Sequence, residues 1–330
     1  MLTEILYMMI MRIGGMLIMI PVVSETFADR MKLIENIVIP YPKFNGVLCK
    51  IKECHEKSVI LKVPPSLLIT GEVGSGKTYI FERYLKQNYK EWEEEGDDGI
   101  RFKKNILAVT LTHAVTHGEL IVQLLSHLGA IKPEHGRNNA ERLTRLVQLI
   151  KVTGIEFIMI DEFHNIIDRD KKKTLFKVSE TFKDIINLTG VAFVFFGLDD
   201  PRNPELNSTV ILENSIQLKK RVPDHVKLER FKFDTGKQQE NFIRLLHEFD
   251  QLLPFVKLSG LSESNTASRI FQATDGLIYS IKKLIEDAAW IAMKKHENCI
   301  ELEHFAKAFA QNKFINEDYK GYAKTNPFLE

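Results

Sequence analysis

One short segment, GEVGSGKT at residues 71–78, constrains the fold more than any other part of the chain. It follows the apolar run Leu67-Leu68-Ile69 and fits the phosphate-binding signature G-x-x-x-x-G-K-[ST] at every position. Its glycines let the backbone turn tightly, so that N–H groups point at phosphate oxygens where a helix begins. The segment therefore predicts a site for a nucleoside triphosphate. The residues expected to contact ATP are Gly71, Glu72, Val73, Gly74, Ser75, Gly76, Lys77, Thr78 and Tyr79.

A second apolar run ends in two carboxylates and predicts the other half of that site. Residues 157–160 read FIMI, and Asp161 and Glu162 follow directly. A carboxylate at the end of a buried strand is placed to hold Mg²⁺ opposite the Thr78 hydroxyl. Glu162 is of the right type to orient and deprotonate an attacking water. We therefore expect Mg²⁺ ligands at Thr78 and Asp161, with Lys77 and Glu162 as catalytic residues of ATP hydrolysis.

The order of apolar runs and helical patterns predicts an α/β fold. Further strands are expected at residues 106–111, 191–196 and 226–231, and amphipathic helices at residues 79–89, 119–128, 140–151 and 174–188. Buried strands that alternate with helices indicate a doubly wound, mainly parallel sheet. The acidic stretch 91–99 reads as a solvated loop. Beyond about residue 235 only helical patterns remain, which favours a helical lid.

These patterns divide the 330 residues into an α/β core at 31–234 and a helical lid at 235–330, with residues 1–30 as a leader. The leader contains the apolar stretch 5–23, interrupted by Arg12 and Gly14-Gly15. Three interpretations remain open for it: an unstructured or mistakenly assigned start, a packed or partner-binding helix, and a membrane anchor. Arg12 near the centre of the stretch disfavours the anchor, because a charge is costly in a bilayer.

Net charge and cysteine content limit which binding partners and which cellular compartment we expect. The formal net charge is +1, so any contact with nucleic acid must come from a local patch. Three cysteines are too few for a disulfide framework, which is typical of a reducing cytosol. We therefore expect a cytoplasmic protein that is not bound to a membrane.

A basic cluster, Lys219-Lys220-Arg221, is a candidate for one further cation near the γ-phosphate. Phosphoryl transfer depends on charge neutralisation, which an arginine from a neighbouring subunit can supply. The competing interpretation is a solvated basic helix end. Both remain open from the residues alone.

Taken together, five segments resemble the TnsC/TniB family of AAA+ ATPases that regulate DNA transposition. They are LLITGEVGSGKT, FIMIDEFHNI, VAFVFFGLDDP, KKRV and ATDGLIYSIKKLIEDAA, in that order along the chain. The resemblance covers roughly residues 35–315 and is strongest to the short TnsC proteins of CRISPR-associated transposons. It implies a P-loop AAA+ fold with a C-terminal helical lid.

The resemblance also implies partners and roles. Such proteins assemble as rings or filaments on double-stranded DNA in the ATP state and link a target selector to the transposase. The selector is a TniQ-type protein, often with an RNA-guided complex, and the transposase is TnsB, in some systems with TnsA. By position, Arg221 corresponds to the finger that acts on a neighbouring subunit.

Two positions depart from the family pattern. Leu198 stands where a small polar sensor residue is usual at the end of the fourth core strand, and Asp199 beside it is a candidate substitute. Ser280 stands near the position of the second sensor, with Lys282 and Lys283 close by. These departures imply slow hydrolysis.

Contacts to DNA in such assemblies come from loops that face the central pore. The corresponding segments here are residues 112–117 and 132–145, which are basic in part. Contacts to phosphates position a protein without reading sequence, as suits a regulator that accepts any target. The candidate DNA-binding residues are His117, Lys132, Arg137, Asn138 and Arg142.

Three other functions fit parts of the sequence. A DExH helicase would share Asp161-Glu162-Phe163-His164, but the single phosphate-binding loop argues against two ATPase lobes. A replication initiator or helicase loader would share the fold, although the tail after residue 290 is short for a DNA-reading module. A nucleotide-switched scaffold, in which hydrolysis only resets assembly, overlaps the transposition regulator.

Overall fold

The computed structural model describes residues 7–13, 16–22, 26–39, 41–96, 99–112, 115–166, 172–311 and 325–329, and only the backbone of residues 7–22 and 172–175. Its strands are β1 (Tyr7–Ile13), β2 (Met16–Val22), β3 (Leu67–Gly71), β4 (Glu91–Gly96), β5 (Gly99–Lys104), β6 (Ile106–Thr110), β7 (Phe157–Asp161), β8 (Ala192–Leu198) and β9 (Asp224–Leu228). Its helices are α1 (Phe27–Glu35), α2 (Pro42–Ile60), α3 (Lys77–Asn88), α4 (His117–His127), α5 (Asn139–Thr153), α6 (Lys172–Thr189), α7 (Ser208–Glu213), α8 (Ile216–Arg221), α9 (Gly236–Leu252), α10 (Ser264–Thr274), α11 (Ile278–Lys294) and α12 (Leu302–Gln311).

Five strands form a parallel sheet in the order β6-β7-β8-β3-β9. Side chains along β7 alternate between the two faces: Phe157 and Met159 belong to one apolar cluster, Ile158 and Ile160 to the other. Helices α2 and α3 contribute to the first cluster, and helices α4 to α8 contribute to the second. The sheet is therefore buried on both faces, as parallel sheets require. The predicted doubly wound α/β fold is confirmed.

The acidic stretch predicted as a loop is instead a strand of a hairpin. Strand β4 pairs antiparallel with β5, so that Glu94 lies opposite Arg101. The Lys103 ammonium also lies 2.9 Å from a carboxylate oxygen of Glu94. Opposite charges on facing strands stabilise a hairpin that lacks the apolar alternation used to recognise strands.

The fifth core strand begins two residues earlier than predicted and ends three residues earlier. Strand β9 is at the edge of the sheet, and only Leu228 among its five residues is buried. Its apolar pattern is therefore too weak to mark its bounds.

The described part of the N-terminal apolar stretch is a pair of strands and not a helix. Strands β1 and β2 pair antiparallel, with Tyr7 opposite Val22 and Ile13 opposite Met16. Residues 5, 6, 14, 15 and 23 of the stretch lie outside the described residues. None of the helices in the described ranges combines the length and apolarity that a membrane crossing needs.

The chain divides into two compact units, residues 40–229 and residues 1–39 with 230–330. These bounds differ from the predicted ones because α1 packs within the helical unit. The Phe27 ring meets the Trp290 ring edge to face at 4.7 Å, and the Arg30 guanidinium donates to the Pro254 carbonyl. The predicted helical region is present as α9 to α12, with α1 added to it.

A buried carboxylate organises the loop after α9 in this helical unit. Asp250 is 4% exposed, and its two oxygens accept backbone N–H groups of Ser259, Gly260 and Leu261 at 2.8, 2.8 and 3.1 Å. These three donors would otherwise lose water without gaining a partner. The carboxylate therefore fixes the path from α9 to α10.

We expect Asp250→Ala to destabilise the helical unit by roughly 3 kcal/mol, because it leaves one buried and two part-buried N–H groups without their acceptor. The measurement is denaturant unfolding followed by Trp290 fluorescence in a Trp92→Phe background. The matched control is Glu248→Ala on the same helix, since Glu248 only pairs with the exposed Arg244. Equal losses in the two variants would contradict the role of Asp250.

Candidate nucleotide site

The phosphate-binding loop joins β3 to α3 through two glycines in the left-handed region. Gly74 has φ 79° and Gly76 has φ 92°, conformations that other residues rarely adopt. Gly76 is the N-cap of α3, and no side chain caps the helix there. The first N–H groups of α3 are therefore available to an anion, as the predicted phosphate site requires.

Gly71 leaves no room for a side chain at the start of this loop. A Cβ at this position would lie 2.5 Å from Ser75 Oγ and 2.7 Å from the Leu228 carbonyl oxygen. The loop thus packs directly against the end of β9.

Lys77 is buried at the start of α3. Its side chain is held by two neutral acceptors, because Nζ donates to the carbonyls of Gly71 and Glu72 at 2.8 Å each. Burial lowers the pKa of Lys77, and the nearby carboxylates of Glu162 and Asp161 oppose this shift. An ammonium so poorly hydrated gains from an anion, which fits the predicted contact to phosphate.

Asp161 and Thr78, the residues predicted to bind a divalent cation, are joined by a hydrogen bond between their side chains. Asp161 is 2% exposed at the carboxyl end of β7, and its Oδ1 accepts the Glu162 N–H at 2.9 Å. Burial raises the pKa of Asp161, while hydrogen bonds from the Glu162 backbone and the Thr78 side chain oppose the rise. A carboxylate and a hydroxyl are hard oxygen ligands that Mg²⁺ accepts.

Glu162 adopts φ 56°, which is uncommon for a residue other than glycine. Its Oε2 lies 3.1 Å from His164 Nε2, and the Glu162 side chain is 37% exposed. The turn is tied to the neighbouring strand, since Asn165 Nδ2 donates to the Leu111 carbonyl at 2.9 Å. Glu162 is therefore held at the same edge of the sheet as Asp161, with its carboxylate accessible.

The candidate sensor Asp199 lies in a polar cluster at the end of β8. Its backbone N–H donates to the Gly71 carbonyl at 3.1 Å. Its Oδ2 lies 2.9 Å from Lys227 Nζ and 3.5 Å from Thr70 Oγ1, and its Oδ1 accepts from Asn207 Nδ2 at 3.2 Å. Lys227 and Asn207 were not predicted as site residues, because neither belongs to a recognisable sequence motif.

Arg221 lies at the opposite edge of the sheet from the phosphate-binding loop. It is the last residue of α8, and its carbonyl accepts the N–H of Ser66, directly before β3. The loop begins at the other end of β3, five residues further on, or about 16 Å at the usual rise of a strand. That span is beyond the reach of an arginine side chain.

Several of the candidate DNA-binding residues form hydrogen bonds within the chain. His117 Nδ1 contacts Thr181 Oγ1, and Asn138 caps α5 by accepting the Glu141 N–H. The Arg142 guanidinium donates to the Glu134 carbonyl and to Asn139 Oδ1.

Lys132 and Arg137 are exposed in the same loop. Of the predicted segment 112–117, residues 113 and 114 lie outside the described residues.

The second sensor position lies in the helical unit. Ser280 is buried within α11. Lys282 donates to the Glu35 carbonyl at the end of α1, and Lys283 donates to Asp287 at 2.8 Å. Both lysines thus have partners inside this unit.

The family model described as Bacterial TniB protein matches residues 30–229, which is more than half of the chain. A search of curated protein sequences gave no significant match.

Solved structures share the fold at low sequence identity. The Aeropyrum pernix ORC2 protein in its ADPNP-ADP complexes superposes with a TM-score of 0.60 at 14% identity, over 86% of this chain and 71% of that one. The Aeropyrum pernix ORC1 protein in complex with DNA gives 0.57 at 16% identity, over 86% and 69%. Cdc6p from Pyrobaculum aerophilum gives 0.57 at 13% identity, over 84% and 69%. The predicted P-loop AAA+ fold is confirmed.

We expect Asp161→Asn to raise the melting temperature of the nucleotide-free protein at neutral pH. Burial raises the folded-state pKa of Asp161, so the stability of the fold falls as pH rises from the ordinary carboxyl pKa to this raised pKa, and the full loss is present above it. Asparagine keeps an acceptor for the Glu162 N–H and removes the buried charge. The measurement is thermal melting with a chelator at neutral and acidic pH, and the gain should vanish in acid. Asp224→Asn, at an exposed carboxylate, is the control; an equal gain there would refute the explanation.

Proposed function

The chain belongs to the TniB family, and we propose that it is an ATP-dependent regulator of DNA transposition. In this proposal it assembles on double-stranded DNA in the ATP state and couples target selection to the transposase. ATP hydrolysis then resets the assembly. The resemblance to short TnsC proteins supports a TniQ-type selector with an RNA-guided complex, and TnsB with or without TnsA, as partners.

The position of Arg221 is the observation that carries the proposal. Its backbone is held at the amino end of β3, and the phosphates would lie beyond the carboxyl end of that strand. Arg221 therefore cannot reach a nucleotide in its own chain. A neighbouring copy can bring its Arg221 to this site, so that ATP binding and assembly depend on each other.

The residues of the site divide the work of hydrolysis among them. The N–H groups at the start of α3 hold the phosphates, and the Lys77 ammonium neutralises charge on the β- and γ-phosphates. Thr78 and Asp161 are placed to hold Mg²⁺, which supplies further positive charge when bound. Glu162 accepts a proton from the attacking water, and Arg221 of a neighbour offsets the charge that develops in the transition state.

Contact to DNA is proposed for the loop before α5. Lys132 and Arg137 are exposed and basic, and Arg142 and Asn138 hold the loop that presents them. Contacts of this kind neutralise phosphates and carry no sequence preference. We therefore expect binding to any duplex, weakened by salt.

A replication initiator or helicase loader is the second candidate. The likeness to the origin-recognition proteins is one of fold and does not favour this function over transposition. Strong preference for one duplex sequence would support it and would contradict the transposition regulator.

We expect the purified protein to form oligomers on linear duplex DNA with ATP or a non-hydrolysable analogue, and not with ADP. The Lys77→Ala variant should lose this assembly, because it lacks the ammonium that neutralises charge on the phosphates. The Glu162→Gln variant should keep assembly and lose hydrolysis at least about 100-fold. Electron microscopy and analytical ultracentrifugation measure assembly. DNA-bound oligomers of Lys77→Ala equal to those of the wild type would refute the proposal.

A mixing experiment tests the action of Arg221 on a neighbouring copy. Lys77→Ala and Arg221→Ala should each abolish ATPase activity alone, and a mixture should regain part of it. The reason is that an intact loop in one copy then meets an intact Arg221 in the next. Lys220→Ala, exposed on the same helix, should stay active and serves as the control. A mixture as inactive as its components would contradict action between copies.

A further inference from the structure

Besides Glu72 within the phosphate-binding loop, three carboxylates lie close to it in the described part of the chain, and one of them has no role in metal binding or proton transfer. Asp161 is placed to hold a divalent cation and Glu162 to accept a proton, whereas Asp199 has neither role. Two nitrogens donate to the Gly71 carbonyl oxygen, the Asp199 backbone N–H at 3.1 Å and Lys77 Nζ at 2.8 Å. The backbone of Asp199 and the Lys77 ammonium, which is expected to contact the phosphates, therefore share one acceptor and lie close together.

A carboxylate in this position opposes the binding of a polyphosphate, because like charges repel strongly where water is scarce. The Asp199 side chain is 13% exposed, so solvent screens it poorly. A cation beside Asp199 would offset this repulsion.

Lys227 is the cation that lies beside Asp199. It lies on β9 in register with Thr70, one residue before the loop begins on β3. Its ammonium is 2.9 Å from Asp199 Oδ2, and its side chain is 45% exposed. A lysine ammonium on a flexible four-carbon stem can exchange one anionic partner for another nearby.

The remaining partners of Asp199 allow such an exchange. Asn207 Nδ2 stays on Oδ1 at 3.2 Å, and Thr70 Oγ1 lies 3.5 Å from Oδ2. The hydroxyl of Thr70 is itself placed by His225 Nε2 at 2.7 Å. Asp199 therefore keeps hydrogen-bond partners when Lys227 turns away.

We propose that Lys227 is a phosphate-binding residue that Asp199 holds in the absence of a terminal phosphate and that turns to the γ-phosphate of a bound nucleoside triphosphate. The inference rests on the proposed function, since it needs a nucleotide in the loop. It makes Asp199, directly after β8, and Lys227, on β9, a pair that distinguishes triphosphate from diphosphate. The two partners then act with opposite signs: Lys227 favours the triphosphate, and Asp199 competes with it.

The test is equilibrium titration with a fluorescent non-hydrolysable ATP analogue and with fluorescent ADP. Lys227→Met should weaken binding of the ATP analogue by about tenfold or more, the value of a charge-assisted hydrogen bond, and leave ADP binding unchanged. Asp199→Asn should strengthen binding of the analogue and also leave ADP unchanged. Lys227→Arg keeps the charge and should keep the preference for the analogue.

The matched control is Lys43→Met. Lys43 forms an ion pair of the same length, 2.9 Å, with Glu229 just beyond β9, and its side chain is 40% exposed. This variant should bind both nucleotides as the wild type does. Thermal melting without nucleotide shows whether each variant is folded. If Lys227→Met does not fold, Asp199→Asn and Lys227→Arg still test the role of Lys227.

The outcomes separate this inference from the function on which it rests. Suppose that the wild type binds both ADP and the analogue, and that Lys227→Met weakens the binding of both equally or of neither. Lys227 then does not contact the terminal phosphate, and only the inference fails. Weakened analogue binding in Asp199→Asn would likewise overturn it, because the pair would then act as one structural unit. If the wild type binds neither nucleotide, the proposed function fails as well.

Discussion

The carbonyl of Gly71 is the junction on which the geometry of the site depends. It accepts hydrogen bonds from the Lys77 side chain and the Asp199 backbone, so it joins the end of β3, the start of α3 and the end of β8. The absence of a side chain at Gly71 lets the end of β9 approach as well. The pairing of β8 with β7 then places Asp161 at the same edge of the sheet. One peptide group thus positions residues that are far apart in the sequence.

Much of this architecture is predictable from local sequence patterns. The buried strands are short apolar runs, and each ends where its polar or glycine residue enters the site, as with Gly71 and Asp161. Helices α4 and α5 carry apolar residues on one face, and their predicted bounds agree with the structure to within about two residues. The nucleotide site was predictable because its chemistry requires fixed residue types at fixed spacing.

The remaining features depend on contacts that no local pattern encodes. The β4–β5 hairpin is stabilised by charges that face each other across two strands, and its residues are mostly exposed. A role for Lys227 becomes apparent only in the structure, where Asp199, distant in sequence, lies beside it. The candidate DNA-binding residues were predicted from the position of their loops in the resembled family and from the basic residues there, yet His117 and Arg142 have partners within the chain. Charge alone does not distinguish a guanidinium that holds a loop from one that awaits a ligand.

The helical unit is discontinuous in sequence, because residues 1–39 and 230–330 contribute to it and residues 40–229 form the other unit between them. During synthesis α1 emerges from the ribosome before residues 40–229, whereas Pro254 and Trp290, which pack against it, are made after them. The α/β unit can fold while translation continues. The helical unit can pack α1 only after Pro254 and Trp290 have been made, so its maturation follows that of the α/β unit.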